Sequence, residues 1–382
     1  MVQRRKLLRP GRFEAAGLDQ GGWYRALDVV RRTVDAGGVP GAVVAVGRCG
    51  HLFGPQAFGW RQLEPERAPV AVDTLYDLAS VTKVTATLPV TLALIDQGRL
   101  RLDDPVVEFI PEFASGTREG PLAAARERVR LRHLLTHTSG LPAWRDLYST
   151  ARSPADVIEQ ICQTPLERPP GERVTYSCLG FILLGEILQR VLGRSLAQAA
   201  DELVFGPLGM TNTMFRPPPD RRQNIAATER RGEEGDCLVG EVHDENARAM
   251  GGISGNAGLF GTAADLAVYC QMWLNGGAYA GQRVLSEAVT ELAVRPHTAS
   301  LNACRGLGWV VKGDDPFSSA GDMFAPEAFG HTGFTGTSIW IDPRRELIAV
   351  LLTNRVHPTR QNQAHIRLRA LFHNALAAAC EA

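Results

Sequence analysis

Apolar positions recur along the chain with the spacing of helices in some stretches and of strands in others. Residues 23–34 carry apolar side chains three or four positions apart, which predicts an amphipathic helix ending at the glycine pair 37–38. Residues 42–46 and 52–58 are short apolar runs on either side of a turn, which predicts two neighbouring strands. The N-terminal region is therefore expected to supply a terminal helix and the start of a sheet.

The middle of the chain has mostly helical spacing. Helices are predicted at 131–135, 154–162 and 179–192, separated by short polar segments. Residues 216–236 contain three prolines and many charges, which favours an irregular exposed loop.

Strand-like runs return near the C-terminus, at 308–311, 337–341 and 347–352, and residues 363–379 have the pattern of a closing helix. Strands at both chain ends with helices between them predict the α+β class. The expected architecture is an antiparallel sheet flanked by the terminal helices, with an inserted helical lobe.

The same pattern predicts two lobes, one of them discontinuous. Residues 1–75 and 255–382 would form an α/β lobe, and residues 76–254 the helical lobe, which includes the loop near 216–236. A chain of 382 residues is long enough for this division.

Composition excludes several classes of partner. The formal net charge is +0, so binding to nucleic acid or to an anionic membrane is not expected. No apolar run approaches 18 residues, so no membrane segment is expected. The seven cysteines are scattered and form no C-x-x-C pair, which disfavours a zinc site or a disulfide framework. Because no signal peptide follows the basic start, we expect a cytoplasmic protein.

Candidate chemistry begins at Ser80. The apolar spacing of residues 80–95 is near 3.6, which predicts a helix with Ser80 at its start and a kink at Pro89. Lys83 lies one turn later, so its ammonium and the serine hydroxyl share a helix face. The amide at the helix start is an unpaired donor that can face an anion.

The lysine is unusual for this chain. Lysine and arginine together number 41, but only Lys6, Lys83 and Lys312 are lysines. Arginine keeps its proton in proteins, whereas a desolvated lysine can act as a base. At this point two interpretations stay open: a catalytic pair, or a capping serine followed by a solvated lysine.

Two further motifs favour the catalytic interpretation. Tyr176 and Cys178 belong to a Tyr-Ser-Cys segment just before the 179–192 helix, and His331, Thr332 and Gly333 follow one another at a strand edge. A serine nucleophile needs a base, a proton relay and donors for the developing oxyanion, which these segments could supply.

With these motifs in order, the chain resembles the class C β-lactamase and penicillin-binding-protein superfamily of serine hydrolases, in which S-x-x-K, Y-x-N and K/H-T-G occur in this sequence. The resemblance extends from about residue 20 to the C-terminal helix. Further matching segments are 134–141, 207–210 and 257–260.

The resemblance implies a role for each motif. Ser80 would be the acylated nucleophile, Lys83 would ease its deprotonation, and Tyr176 would shuttle the proton. Residues 331–333 would lie along the strand edge that binds the acyl substrate, and the amides of Ser80 and Phe334 would form the oxyanion hole. No metal and no cofactor are implied.

Two positions depart from the family pattern. Cys178 stands where the family usually has asparagine, and a thiol is a weaker donor and acceptor than a carboxamide, which disfavours efficient β-lactamase activity. His331 stands where many β-lactamases have lysine, as in D-alanyl-D-alanine carboxypeptidases and D-aminopeptidases. We expect this imidazole to be partly charged near neutral pH and to assist carboxylate binding.

The expected function is hydrolysis of amide or peptide bonds in peptidoglycan-type substrates through an acyl-enzyme. The enzyme would be D,D-peptidase-, D-aminopeptidase- or muramyl-peptide amidase-like, and residues 242–247 and 257–260 resemble a bacterial subgroup linked to cell-wall recycling. The alternatives are a β-lactamase or small-ester esterase using the same site, and a penicillin-binding sensor or scaffold that acylates without turnover. The sequence leaves the oligomeric state unknown.

Other candidate residues receive simpler interpretations. His137 is expected to tie a helix end rather than to act as a base. His243 and Asp244 lack a third ligand at a recognisable spacing, which argues against a metal site. G-x-S-x-G is absent, which argues against an α/β-hydrolase.

Overall fold

An eight-stranded sheet built from both chain ends is the framework of the molecule. The computed structural model describes residues 6–115, 122–232 and 235–380. The main path of the sheet has the order β1-β3-β2-β13-β12-β11-β10, and β4 pairs with β3. The strands are β1 (Arg9–Pro10), β2 (Gly41–Arg48), β3 (His51–Gln62), β4 (Ala68–Pro69), β5 (Tyr76–Asp77), β6 (Met214–Phe215), β7 (Leu259–Gly261), β8 (Ala278–Tyr279), β9 (Gln282–Arg283), β10 (Val310–Val311), β11 (Phe329–Thr332), β12 (Ser338–Asp342) and β13 (Leu347–Thr353).

Along the sequence, most helices of the described residues lie between the N-terminal strands of the large sheet (β1–β4) and its C-terminal strands (β10–β13). The helices are α1 (Phe13–Ala16), α2 (Gln20–Asp35), α3 (Leu88–Asp96), α4 (Val106–Phe109), α5 (Glu112–Ser115), α6 (Leu131–Leu135), α7 (Pro154–Gln163), α8 (Cys178–Leu192), α9 (Leu196–Ala200), α10 (Gly206–Leu208), α11 (Glu245–Ala249), α12 (Ala263–Leu274), α13 (Glu287–Val294) and α14 (Ala364–Ala378). Two π-helical segments, Lys83–Thr87 and Asp201–Phe205, and two 3₁₀ segments, Ala123–Arg128 and Pro219–Asn224, complete the helical structure. None of the described helices is long and apolar enough to cross a bilayer.

Side-chain alternation along β2 gives the sheet two buried faces. Val43 and Ala45 belong to the larger apolar core, which extends into the helical region, whereas Ala42, Val44 and Val46 belong to a second core. The terminal helices α2 and α14 cover that second face and pack against each other. The predicted α+β architecture with flanking terminal helices is confirmed.

Two local expectations need correction. The sheet is not wholly antiparallel, because Arg9 and Pro10 pair in parallel with His51 and Leu52. The segment predicted as an exposed loop at 216–236 contains the turn Pro219–Asn224 and a buried stretch at 225–228. That stretch is buried because its backbone pairs with Leu75, where Ala226 N–H bonds to the Leu75 carbonyl at 2.8 Å. The boundaries of the two lobes stay a prediction.

Candidate active site

The backbone around Ser80 is bent so that the serine begins a helical segment. Ala79 has φ +45°, a left-handed conformation that costs energy for a residue with a Cβ. Its N–H is held by the Asp77 carboxylate at 2.8 Å, and the other carboxylate oxygen accepts the His243 N–H at 2.7 Å. Burial raises the pKa of Asp77. This buried carboxylate fixes the residue that precedes the serine.

The Lys83 side chain is completely buried and lies against the serine. Its Nζ is 3.0 Å from Ser80 Oγ, 2.9 Å from the Asn256 carbonyl oxygen and 3.6 Å from Cys178 Sγ. Three neighbours match the three hydrogens of an ammonium group. The solvated-lysine interpretation is therefore wrong for this side chain.

The neighbours of Lys83 decide its charge. Burial lowers the pKa of Lys83, but Cys178 and Tyr176, whose ionised forms the ammonium would stabilise, outweigh burial and leave the pKa above its ordinary value. The protonation state of Lys83 is therefore linked to that of Cys178.

The helix of the nucleophile is not the single kinked helix that the sequence predicts. A π-helical turn, Lys83–Thr87, precedes α3, and Leu88 N–H bonds to the Lys83 carbonyl five residues back. Pro89 lies in the first turn of α3, where proline is tolerated. In the π-helical turn, the Val84 carbonyl accepts a hydrogen bond from the Tyr269 hydroxyl.

The loop that carries Tyr176 is fixed by His137. Ser177 N–H donates to His137 Nδ1 at 3.0 Å, and Thr175 N–H donates to the His137 carbonyl at 2.8 Å. Burial lowers the pKa of His137 well below its ordinary value, so the ring is neutral and accepts at Nδ1. The expected structural role of His137 is confirmed by these contacts.

Tyr176 lies beside the lysine with its hydroxyl buried. The Lys83 Nζ is 5.1 Å from the centre of the phenol ring, and the Arg305 guanidinium carbon is 5.4 Å from it. The phenol oxygen has no hydrogen-bond partner among the described residues. It is therefore an available acceptor or donor within the site.

Cys178 begins α8 and contacts the lysine rather than a second cysteine. Burial raises the pKa of the thiol, and Lys83 only partly opposes this shift, so the side chain is a neutral thiol. A neutral thiol near an ammonium acts as a weak acceptor.

The His331–Thr332 segment lies at an open strand edge. On one side of β11, β10 pairs only with Phe329 and Gly330, so the edge at His331 and Thr332 has no partner strand there. On the other side, β12 pairs along the whole of β11. The unpaired edge faces the cleft that contains Ser80. An extended substrate could add to such an edge through main-chain hydrogen bonds.

His331 is not the partly charged group that the sequence suggests. Its side chain is buried, and burial together with the positive charges of Lys83 and Arg305 lowers its pKa well below the ordinary value. Nδ1 donates to the Thr332 carbonyl at 2.8 Å, which leaves Nε2 as a bare acceptor without a partner among the described residues. A neutral imidazole cannot attract a substrate carboxylate by charge.

The turn after the strand is bound directly to the segment before the nucleophile. Thr335 Oγ1 donates to the Asp77 carbonyl at 2.6 Å, and Thr337 Oγ1 donates to the Leu78 carbonyl at 3.0 Å. A Cβ at Gly333 would lie 2.1 Å from Thr337 Oγ1 and 2.5 Å from the Leu78 oxygen, so only glycine fits there. These contacts hold the segments of Ser80 and Phe334 in one rigid unit.

All the sequence-predicted side chains except buried Lys83 line one cleft of about 740 Å³. Sequence reasoning missed several groups that also line it: Trp144, Arg305, Arg355, Arg360 and Arg369. For Arg369 the sequence does contain a signal, because an arginine interrupts the apolar pattern of the closing helix. For Trp144, Arg305, Arg355 and Arg360, which lie in loops, the sequence alone gives no signal.

His243 and Asp244 take part in other contacts. His243 Nε2 lies 2.9 Å from a Glu229 carboxylate oxygen, and the His243 ring packs on Phe334 with centres 5.7 Å apart. Asp244 caps α11 through a bond from Ala247 N–H. This pair therefore supports the far wall of the cleft.

The fold and the arrangement of the site define a serine hydrolase with a buried lysine beside its nucleophile. The chain belongs to the beta-lactamase family, whose family model matches residues 27–374.

Two relatives with similar sequences agree with the assignment of this chain to the beta-lactamase family. A putative D-alanyl-D-alanine carboxypeptidase of Escherichia coli K12 is 36% identical over 308 residues, which are 74% of this chain and 70% of the relative. A protein of the same description from Escherichia coli O157:H7 is 33% identical over 358 residues, covering 86% of this chain and 81% of the relative.

Solved structures share the fold. EstCE1, described as a hydrolase with promiscuous acyltransferase activity, superimposes with a TM-score of 0.75 at 24% identity, covering 93% of this chain and 99% of the other. The octameric penicillin-binding protein homologue from Pyrococcus abyssi gives 0.70 at 22% identity, covering 93% and 77%.

Proposed function

We propose that this enzyme hydrolyses amide or peptide bonds of peptidoglycan-type substrates through an acyl-enzyme on Ser80. The observation that carries the proposal is the 3.0 Å contact between Ser80 Oγ and the buried Lys83 Nζ at the floor of the cleft. A hydroxyl beside a titratable, desolvated amine is the arrangement that an activated serine requires.

In the acylation step, Ser80 Oγ attacks the substrate carbonyl carbon and its proton leaves to the coupled Lys83–Tyr176 pair. The C–N bond of the substrate then breaks, and the pair returns that proton to the leaving nitrogen. The buried, unpartnered Tyr176 hydroxyl supports its place in this relay. In the second step water attacks the ester carbon, Ser80 recovers a proton and the acid product is released.

The developing oxyanion would accept hydrogen bonds from the amides of Ser80 and Phe334. Removing one such donor in a serine protease costs about 3–4 kcal/mol of transition-state stabilisation. Support comes from the bonds of Thr335 and Thr337, which fix the two segments relative to each other. A preorganised pair of donors needs no rearrangement as charge develops.

The substrate class is supported by the cleft and by the relatives. A volume of about 740 Å³ accommodates a peptide fragment rather than only a small ester. Arg305 faces Tyr176, and its buried Nη1 has no hydrogen-bond partner among the described residues. Since neutral His331 cannot supply a charge, we assign Arg305 as the cation that meets a substrate carboxylate. The curated relatives are described as carboxypeptidases, whose product and substrate carry such a group.

A small ester or a β-lactam is the second candidate. The Cys178 thiol forms only weak hydrogen bonds, which favours ester substrates. An ester expels its leaving group more readily than an amide and so depends less on hydrogen bonds from the enzyme. A penicillin-binding sensor without turnover would use the same acylation step.

We place the reaction in the cytoplasm. The support is that all seven cysteines are free thiols, which fits a reducing compartment.

Mass spectrometry and product analysis together test the proposal. Incubation with an N-acylated peptide ending in D-alanyl-D-alanine should give released D-alanine and a transient adduct on Ser80. A chromogenic ester and a fluorescent penicillin serve as the competing substrates, and the Ser80→Ala variant is the control. Adduct formation without release from any of the three would instead identify a sensor, and release that persists in Ser80→Ala would refute the acyl-enzyme.

A further inference from the structure

Arg369 lies on α14, which covers one face of the sheet, and its guanidinium reaches the turn that follows His331-Thr332-Gly333 at the margin of the cleft. Only 6% of the residue is exposed, and its Nη2 donates to the Gly333 carbonyl at 2.9 Å and to the Thr337 carbonyl at 2.7 Å. No carboxylate of the described residues forms an ion pair with it, and its Nε has no partner there. The contacts of this guanidinium are therefore to main-chain oxygens near the candidate oxyanion hole.

Keeping a charge at this position is costly. A buried cation without a counter-ion loses its hydration and gains only the two carbonyl dipoles in return. Burial lowers the pKa of Arg369, which reflects this cost.

The turn itself does not need the arginine to close. Gly333 N–H bonds to the Thr337 carbonyl at 2.8 Å, and Gly336 N–H bonds to the Gly333 carbonyl at 3.1 Å. The Thr335 and Thr337 hydroxyls then fasten the turn to the chain before Ser80. A purely structural clamp would add little to these bonds.

The contact to Gly333 controls the direction of the next amide. The Gly333 carbonyl and the Phe334 N–H belong to one planar trans peptide unit, in which they point in opposite directions. Holding the oxygen therefore aims the N–H away from Arg369. On the other side of Phe334, Arg355 Nε donates to the Phe334 carbonyl at 2.6 Å, so both peptide units next to this residue are fixed.

We infer that Arg369 is a positioning residue that aims the Phe334 N–H at the developing oxyanion and strengthens it as a donor. A cation bonded to the carbonyl of a peptide unit withdraws electron density from it, so its N–H donates more strongly. The charge also favours the negative oxygen of the transition state. The inference rests on the proposed function, because it requires an oxyanion at this amide.

The acyl-enzyme carbonyl reports this interaction directly. In an acyl-enzyme labelled with ¹³C at the ester carbonyl, infrared difference spectra measure how strongly the amides polarise that carbonyl. Arg369→Gln removes the charge, and we expect the carbonyl band to move to higher frequency and kcat to fall roughly 10- to 100-fold with KM changed less than threefold. Arg369→Lys keeps a positive charge but lacks the planar guanidinium that bonds to two carbonyls. We expect this variant to recover part of the carbonyl band shift and part of kcat.

Arg126 offers a matched control. It is also a buried arginine that donates to main-chain carbonyls, at 2.7 Å to Phe113 and 2.7 Å to Thr164, but it lies in the helical region outside the cleft. Arg126→Gln should lower the melting temperature while leaving the carbonyl band and kcat unchanged.

The outcomes separate the two proposals. Absence of a Ser80 adduct in the wild type would refute the proposed function and this inference with it. An adduct whose carbonyl band is the same in the wild type, Arg369→Gln and Arg369→Lys would overturn only the role of Arg369. If Arg369→Gln does not fold, Arg369→Met, which removes the charge and keeps a long side chain, takes its place, and a carbonyl band in Arg369→Met identical to that of the wild type would overturn the role of the charge.

Discussion

The hydroxyl of Thr335 donates a 2.6 Å hydrogen bond to the main-chain carbonyl of Asp77. Thr335 belongs to the turn after the substrate-binding edge, and Asp77 precedes the nucleophile. The bond therefore joins two parts of the chain that are distant in sequence and that carry the two candidate oxyanion donors.

Removing this bond should affect catalysis more than stability. We expect Thr335→Val to lose about 1 kcal/mol of unfolding free energy, the usual value of one hydrogen bond, but to lower kcat roughly 10-fold, because the Phe334 amide is then less precisely held. Steady-state kinetics with denaturant unfolding measure both effects. Thr290→Val is the control, since Thr290 makes a similar bond to the Glu287 carbonyl at 2.8 Å in α13. Equal losses of kcat in the two variants would contradict the proposed connection.

Cys178 should limit how well the enzyme processes amide substrates. Cys178→Asn places a carboxamide that can both donate and accept beside Lys83. We expect kcat/KM for a peptide to rise several-fold relative to kcat/KM for an ester. The ratio of the two specificity constants is the measurement, and Cys178→Ala, which adds no hydrogen-bonding group, is the comparison. A rise of the same size in Cys178→Ala would show that space, not hydrogen bonding, limits the reaction.

Arg305 should matter only for substrates that carry a carboxylate. Arg305→Gln removes the charge next to Tyr176, and we expect KM to rise roughly 10-fold for a peptide with a free C-terminal carboxylate. The same peptide as its C-terminal amide should be affected little. Arg295→Gln, at an exposed position on the end of α13, should change neither. An equal increase for acid and amide would remove the carboxylate contact from the account.

Buried histidines make the fold sensitive to acid. Burial lowers the folded-state pKa of six histidines. Below the ordinary value of about 6.5 the unfolded state therefore binds more protons than the folded state, and the free energy of unfolding decreases as the pH decreases. Each fully buried histidine should cost about 1 kcal/mol of unfolding free energy between pH 6.5 and 5.5. The six histidines with a lowered pKa are His133 (to about 4), His137, His331, His357, His365 (to about 3) and His373 (to about 4).

Denaturant unfolding at several pH values tests this expectation. Replacing one of these residues, as in His373→Gln, should remove about one histidine's share of the slope. A free energy of unfolding that is constant from pH 7 to pH 5.5 would contradict the neutral, buried state of these rings.

Much of the fold was predictable because the secondary-structure signals are local. Apolar spacing predicted a helix at 154–162, and α7 is observed at Pro154–Gln163. Apolar spacing located α6 at its observed residues, Leu131–Leu135. The π-helical turn after Ser80 was not predictable, because its freed carbonyl is satisfied by Tyr269, far along the chain.

The candidate site was predictable in its motifs but not in its charges. The three-residue spacing of Ser80 and Lys83 follows from helical geometry. The neutral state of His331 depends on burial and on Arg305, which come from the tertiary fold. The contact of Arg369 with Gly333 likewise arises only when the closing helix packs against the sheet.

Lys83→Arg tests the central claim most directly, because it keeps the positive charge and removes the ability to release a proton. The measurement is the single-turnover rate of Ser80 acylation, followed by rapid quenching and mass spectrometry, with Lys6→Arg as the control for a lysine outside the site. We predict a loss on the order of 10³-fold in Lys83→Arg and none in Lys6→Arg. Acylation of Lys83→Arg at the wild-type rate would contradict the account.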